Sequence, residues 1–342
     1  MRRPASRLRH DLFMAEDVMT MTERLAAWGR GAHALALLNA VNDRGWTTFL
    51  SEPRDLAAVA AFSGLPPERT GDVLYALVEH GVAEETDGRF RLAPAYAAAL
   101  SDDAFVDLGA VIAYDALIAR QVEDVVRTGT APLREGDALT VALAVGLRPN
   151  PAAAAVVARL FEPLPEMWSA MRSGRLLDVG SGIGGFVMTA ATLLPELRAT
   201  TLELEPEVAA VAAERARALG VDDRIDVRTM DARDFDEASA FDAANWAQPF
   251  FPESTRSATL AMIWRSLRPG GLMMIQEMES EPADLTQRPA FTLRRLVARA
   301  RDMPFARPIA DLVAEAAVAG FEPVRQVDSD FGQLALVRRP AS

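Results

Sequence analysis

The segment Leu176 to Gly185, LLDVGSGIGG, packs one acid and four glycines into ten residues between an apolar run and a helical one. Gly180 and Gly182 let the backbone turn sharply and approach a ligand where a Cβ would clash. Tight turns also collect glycine, so this spacing alone is weak evidence. Asp178 sharpens it. Dinucleotide-binding chains carry an apolar residue at the strand end and keep the loop for a pyrophosphate, whereas a carboxylate suits a cationic ligand end such as an ammonium group. Glu203, followed by Leu204 in ELEPEV, closes the next strand-like run nineteen positions after Gly184. Its two oxygens can accept from both hydroxyls of a ribose. Asp231 in MDARDF can accept from an adenine amino group, with the N–H of Ala232 beside it.

These residues sit at the ends of strand-like runs that alternate with amphipathic helices: 175–179, 199–203, 225–229, 241–246 and 272–278. Such alternation predicts βαβ units and a mostly parallel sheet. The last two runs, 323–327 and 333–337, are too close for a crossover helix and should pair antiparallel. The motif LRPGGLMMI, Leu267 to Ile275, reads as a helix stop, a turn and a buried strand, with a purely structural role. The first hundred residues differ. From Phe13 to Leu50 apolar residues recur at helical spacing, in one or two helices. A short helix over 55–63 stops at Gly64, and Pro66 and Pro67 open a longer one ending at Gly81. VAEETDGRFRL, Val82 to Leu92, is a hairpin around Asp-Gly. Helix, turn, helix, hairpin is a winged-helix arrangement. Residues from Asp102 to Met171 are again helical, broken at the prolines of LRPNP and FEPLP.

Composition narrows the chemistry. The net charge of −12 opposes a nucleic-acid partner, because neutralising phosphates needs surplus cations, and it opposes an anionic membrane surface as well. With no cysteine there are no disulfides, thiolate metal sites or cysteine nucleophiles. His10, His33 and His80 are the only histidines, so no histidine metal cluster can form in the second half. No apolar core of signal-peptide length follows the basic opening MRRPASRLRH, and no run reaches the roughly 18 apolar residues of a spanning helix. A cytoplasmic location is the expectation.

Glycine loop after an Asp-ended strand, acid after the second strand, Asp-Ala after the third and RPGG before the fifth: this order resembles the class I S-adenosylmethionine (SAM)-dependent methyltransferases over about residues 172–342. With the first domain added, the chain resembles the small-molecule O-methyltransferases of secondary metabolism. The resemblance implies an α/β fold with a Rossmann-like seven-stranded sheet. It also implies a winged-helix dimerisation domain over 1–101, a helical connector lining the acceptor pocket over 102–171 and a SAM-binding domain over 172–342. It places Asp178 and Gly180 along the methionine moiety, Glu203 at the ribose, and Asp231 and Ala232 at the adenine, with Gly182, Leu204 and Asn245 also on the cofactor. Arg159 is a weaker candidate for the cofactor carboxylate. The implied cofactor is SAM, leaving as S-adenosylhomocysteine (SAH), with no metal. The implied partners are a small acceptor and a second copy of the chain, paired through helices that include the Trp28–Leu38 stripe.

The chain departs from that family at the general base. Many members carry a His-Asp pair after strand four, where this chain reads NWAQPFFPE, Asn245 to Glu253. Glu277, with Glu279 nearby, is then the nearest proton acceptor expected at the site, and Trp246, Gln248 and Phe250 the residues expected to meet the acceptor. O-methylation is the first expectation, and C- or N-methylation of an electron-rich ring the alternative. A rival from another class, a winged-helix regulator with a ligand-sensing domain, is disfavoured by charge. The 67–81 helix offers Arg69 against Glu68, Asp72 and Glu79, which is wrong for lying along phosphates. A SAM-binding fold recruited to other chemistry is a third reading.

Overall fold

A computed structural model describes residues 5–101 and 103–341. The side chains of residues 5–16, His10 and Phe13 among them, and Asp102 lie outside that description. The chain divides into two compact units, Met1–Ala97 and Ala98–Ser342.

The first unit opens with one long helix, α1 (Ala5–Asp43), and a single turn, α2 (Trp46–Phe49). Strand β1 (Arg54–Asp55) precedes α3 (Leu56–Ser63), whose first turn is capped by the Asp55 carboxylate accepting from Ala58 N–H at 2.8 Å. Helix α4 (Pro67–Glu79) leads into the hairpin of β2 (Ala83–Thr86) and β3 (Arg89–Leu92). Asp87 and Gly88, both at positive φ, form its two-residue turn as Asp-Gly demands. The sheet order is β1-β3-β2, so β1 adds an edge strand that the sequence reading lacks. Helix α5 (Pro94–Leu100) runs across the boundary between the units.

The second unit begins with four helices: α6 (Leu108–Thr128), α7 (Asp137–Val145), α8 (Pro151–Phe161) and α9 (Pro165–Ser173). The second prolines of LRPNP and FEPLP, Pro151 and Pro165, stand at the starts of α8 and α9. There Pro loses no helical hydrogen bond and its φ is already set. Strands and helices then alternate. The first part is β4 (Arg175–Val179), α10 (Gly185–Leu193), β5 (Arg198–Glu203), α11 (Pro206–Ala218) and β6 (Ile225–Thr229). The second is β7 (Phe241–Trp246), α12 (Glu253–Ser266), β8 (Leu267–Gln276), α13 (Arg288–Ala300) and α14 (Ile309–Val318), closed by β9 (Glu322–Ser329) and β10 (Gly332–Arg338).

The seven strands lie in the order β6-β5-β4-β7-β8-β10-β9. The first five run parallel, and β10 pairs antiparallel with both β8 and β9. The fold is therefore α/β with a Rossmann-like methyltransferase sheet. Strand order reverses at β4, between β5 and β7, so a crevice opens beyond the carboxyl end of β4. Apolar clusters cover both faces, one built on Leu176, Ala199, Ala243 and Met274, the other on Leu177, Leu202, Ala244 and Met273. That alternation along each strand holds the sheet rigid beneath the crevice. Among the described residues no helix is long and apolar enough to cross a membrane.

Candidate active site

The crevice is a cavity of about 960 Å³, large for a single small ligand. Asp178, Gly180, Gly182, Glu203, Leu204, Asp231, Ala232 and Asn245 line one part of it; Trp246 and Phe250 line another. Residues at the carboxyl ends of β4, β5 and β7 and just after β6 thus converge, because parallel strands deliver their carboxyl ends to the same edge.

Asp178 is buried at 1% exposure. Its Oδ1 accepts from Asn245 Nδ2 at 2.8 Å, a contact set by the β4–β7 register that places the two side by side. Its Oδ2 has no partner. Burial pushes this carboxyl up to about 7, opposed by the Asn245 bond and reinforced by the charge of Glu203. A buried carboxylate with one empty oxygen and no cation beside it is costly unless a ligand supplies one. Ser181 Oγ, next in the same loop, is likewise buried and unpaired.

Gly180 is needed twice over: its φ is +73°, and a Cβ there would stand 2.7 Å from the Phe251 ring. Gly182 differs. Open space surrounds its Cβ position, so its glycine answers only to a φ of +56°. Its N–H donates to Glu203 Oε2 at 2.9 Å, while Glu205 N–H donates to Oε1 at 3.0 Å. Glu203 therefore ties the glycine loop to the end of β5, with one lone pair per oxygen left for a diol. Burial raises its pKa, against the lowering effect of the Glu205, Gly182 and Leu204 N–H groups. The loop is fixed from the far side by Arg215, which donates to the carbonyls of Leu147 at 3.1 Å and Ile183 at 3.4 Å.

Asp231 is more engaged than the sequence suggests. It accepts from Arg233 N–H at 2.9 Å and from the Arg233 guanidinium at 2.6 Å, and these bonds lower its pKa. Ala232 beside it is buried. Trp246 is buried with its indole N–H unpaired, and Phe251 packs edge-on against it at 5.7 Å. The guanidinium of Arg256 lies 4.6 Å from the Trp246 ring centre.

Four expected site residues lie elsewhere. Gln248 is turned under the sheet edge, donating to the Gln276 carbonyl at 3.2 Å, and does not line the cavity. Glu277 is also absent from the cavity wall, although Gln276 and Met278 on either side of it line it. Its Oε2 accepts from Ile309 N–H at 2.7 Å, so the carboxylate satisfies an otherwise orphan donor at the start of α14 and lies at the positive end of that helix. Glu279 pairs with Arg294 and Arg159 with Asp330, both toward solvent. Phe251, expected with Trp246 and Phe250 as a stacking surface for the acceptor, lines the cavity too; the sequence reading missed Ser181, Met230 and Arg301, which also line it. Among the described residues no group of three or more histidines, cysteines or acids could hold a metal ion.

Residues 176–271 match the methyltransferase domain family. No curated protein matches the chain by sequence. Similar solved structures include the mitomycin 7-O-methyltransferase MmcR, 18% identical, covering 95% of this chain and 99% of that one at a TM-score of 0.72. Human N-acetylserotonin methyltransferase in complex with SAM is 18% identical over 94% of this chain and 98% of that one, at 0.66. The N,N-8-amino-8-demethyl-D-riboflavin dimethyltransferase RosA of Streptomyces davawensis is 21% identical over 93% and 99%, at 0.63. Identities this low speak to fold. The domain match makes residues 176–271 a methyltransferase domain, and the glycine loop with its unpaired buried acid fits SAM: the chain carries a methyltransferase domain on the class I fold.

Proposed function

We propose that this enzyme methylates a small aromatic acceptor of the natural-product type, oxygen being the first expected target. The observation that carries this reading is the cavity, whose polar end around Asp178 and Glu203 continues into a wall of Leu133, Val141, Val145, Leu160 and Phe250. Bound SAM supplies a methyl group activated by its sulfonium. Asp178 holds the ammonium of the methionine moiety; Glu203, with Leu204 beside it, holds the ribose diol. Asp231 and the Ala232 N–H meet the adenine, and Asn245 keeps Asp178 aimed. Methyl transfer from a sulfonium destroys charge, so a dry, apolar acceptor wall favours it, and collinear positioning supplies much of the remaining acceleration. Incubation with SAM and a panel of phenols, anilines and indoles, read as SAH formation, tests this. Turnover confined to phenols supports O-methylation; turnover of anilines or indoles alone selects the nitrogen or carbon reading, which the missing histidine favours.

In this account Glu277 braces α14 and takes no proton. Glu277→Gln keeps an oxygen for Ile309 N–H, so SAM affinity and turnover should stay within about threefold of wild type at every pH from 6 to 9. A base would be worth about 10²–10⁴-fold. A loss of that size that shrinks as pH rises would restore Glu277 as the proton acceptor.

The first unit is proposed to pair with a second copy through α1. Val18, Met19, Leu25 and Trp28 on that helix are all more than half exposed, an apolar stripe of the kind that marks an association surface. Light scattering should return twice the 37.0 kDa chain mass, and Leu25→Glu with Trp28→Glu should return a monomer. A wild-type monomer at micromolar concentration would refute the pairing.

A further inference from the structure

Arg301 is a cation without a counterion in the wall of the cavity. It follows α13, is half-buried, and lines the cavity with Asp302 and Met303. Among the described residues its guanidinium makes no hydrogen bond or ion pair.

Its place in the fold puts it on the acceptor side. The strand order sets Glu203 and Asp231 on one side of Asp178, and Trp246, Gln276 and Met278 on the other. The carbonyl of Asp302 accepts from Glu253 N–H at 2.8 Å, which ties this segment to the chain just after Phe250 and Phe251. From the connector helices, Tyr114 and Asp137 are close enough to feel the charge of Arg301. Neither neutralises it. Asp137 already accepts from the Arg120 guanidinium and from Arg134 N–H at 2.6 Å, and burial raises the Tyr114 pKa above its ordinary value, keeping the phenol neutral. The remaining nearby acids are also engaged: Glu279 pairs with Arg294, and Asp302 accepts from Ser254 N–H at 3.4 Å. Burial lowers the Arg301 pKa, yet an arginine stays charged at any physiological pH.

A half-buried guanidinium offers five N–H donors in a planar fork, and here no protein acceptor meets them. That fork matches a carboxylate, which it binds through two parallel charge-assisted bonds. The surrounding wall of Leu133, Val141, Val145, Met303 and Phe331 suits a flat apolar body. We infer that Arg301 selects the acceptor, and that the acceptor is an aromatic carboxylic acid whose carboxylate sits on this guanidinium while its ring lies in the apolar part of the cavity. This rests on the cofactor occupying the Asp178–Glu203 end. It makes Arg301 a specificity-determining residue, placed away from the atom that receives the methyl group.

The test pairs two probes of the same shape, 1-hydroxy-2-naphthoate and 1-hydroxy-2-naphthamide, titrated calorimetrically into the enzyme saturated with SAH. Wild type should bind the acid at least about tenfold more tightly than the amide, the range of a charge-assisted pair. Arg301→Leu and Arg301→Gln should lose that preference, and Arg301→Lys should keep part of it. All three variants should bind SAH as wild type does, which shows that the fold and the cofactor end are intact. Equal binding of the two probes to wild type, binding of neither, or a preference that survives in Arg301→Leu would overturn the inference. Wild type that fails to bind SAH would instead overturn the cofactor reading beneath it.

Discussion

Glu315→Ala is expected to destabilise the second unit by about 3–5 kcal/mol, the cost of leaving a buried charge without its partner. The charge is Arg256, which is 1% exposed. Its guanidinium is gripped in a fork by Glu315, with bonds of 2.8 and 2.6 Å, and it donates a third bond to the Gln248 carbonyl at 2.7 Å. The same cation lies against the Trp246 ring, so it braces the segment after β7 from beneath the cavity. Replacing the pair together, Arg256→Met with Glu315→Leu, should recover much of the loss, since two apolar side chains leave nothing unpaired. Arg307, which shares Glu315 at 3.1 Å but also holds both oxygens of Glu253, lies nearer solvent, and its loss should cost about 1 kcal/mol or less. Urea denaturation followed by circular dichroism checks all three. A Glu315→Ala midpoint equal to wild type would mean that water reaches Arg256.

Asp178 should make cofactor binding depend on pH. With its carboxyl raised to about 7, the cofactor-free protein holds a proton there over much of the range below neutrality. An ammonium needs the ionised form, so binding below about pH 7 must expel that proton. Affinity should fall toward tenfold per pH unit below 7 and level off above it. Calorimetry at pH 6 in buffers of different ionisation enthalpy should report close to one proton released, and Asp178→Asn should abolish the release. That variant should also bind SAM about 10–100-fold more weakly at pH 8, having lost a charge-assisted pair. The sign for stability is opposite. The folded pKa lies above the ordinary 3.8, so this group favours folding at low pH, and that contribution is lost as pH rises through about 7. Asp178→Asn should therefore stabilise the cofactor-free protein at pH 8. An unchanged or lower melting temperature there would show that the acid is not desolvated.

Much of this was legible in the sequence, and the parts that were not share a physical reason. The glycine loop, the Asp-Gly hairpin and most strand ends depend on local backbone demands and appear where the pattern predicts them; the run expected over 272–278 is instead β8, Leu267–Gln276, which takes in the RPGG segment. The antiparallel closure by β9 and β10 followed from chain length alone. Side-chain engagement was not legible. Glu277 directly follows β8, whose carboxyl end faces the crevice, but its carboxylate turns to the start of α14, 32 residues away in the chain. Gln248 lies between cavity-lining neighbours and still points to the Gln276 carbonyl. Arg256 sits on the same helical face as Thr259, Leu260 and Ile263, all buried, where a charged residue reads as a break in the apolar pattern. The partner that makes its burial tolerable, Glu315, is 59 residues distant. Arg301 fell in a stretch read as neither motif nor strand, and only the cavity gives it meaning.

The cofactor site is tested by a calorimetric titration of SAH into the wild-type chain at pH 8, with Glu203→Ala beside it. Wild type should bind one SAH per chain. Binding should weaken about tenfold or more in the variant, which loses the acceptors for the ribose diol and the anchor for Gly182 N–H. No heat of binding to wild type, or equal affinity in Glu203→Ala, would contradict the placement of the cofactor at the end of β4 and β5.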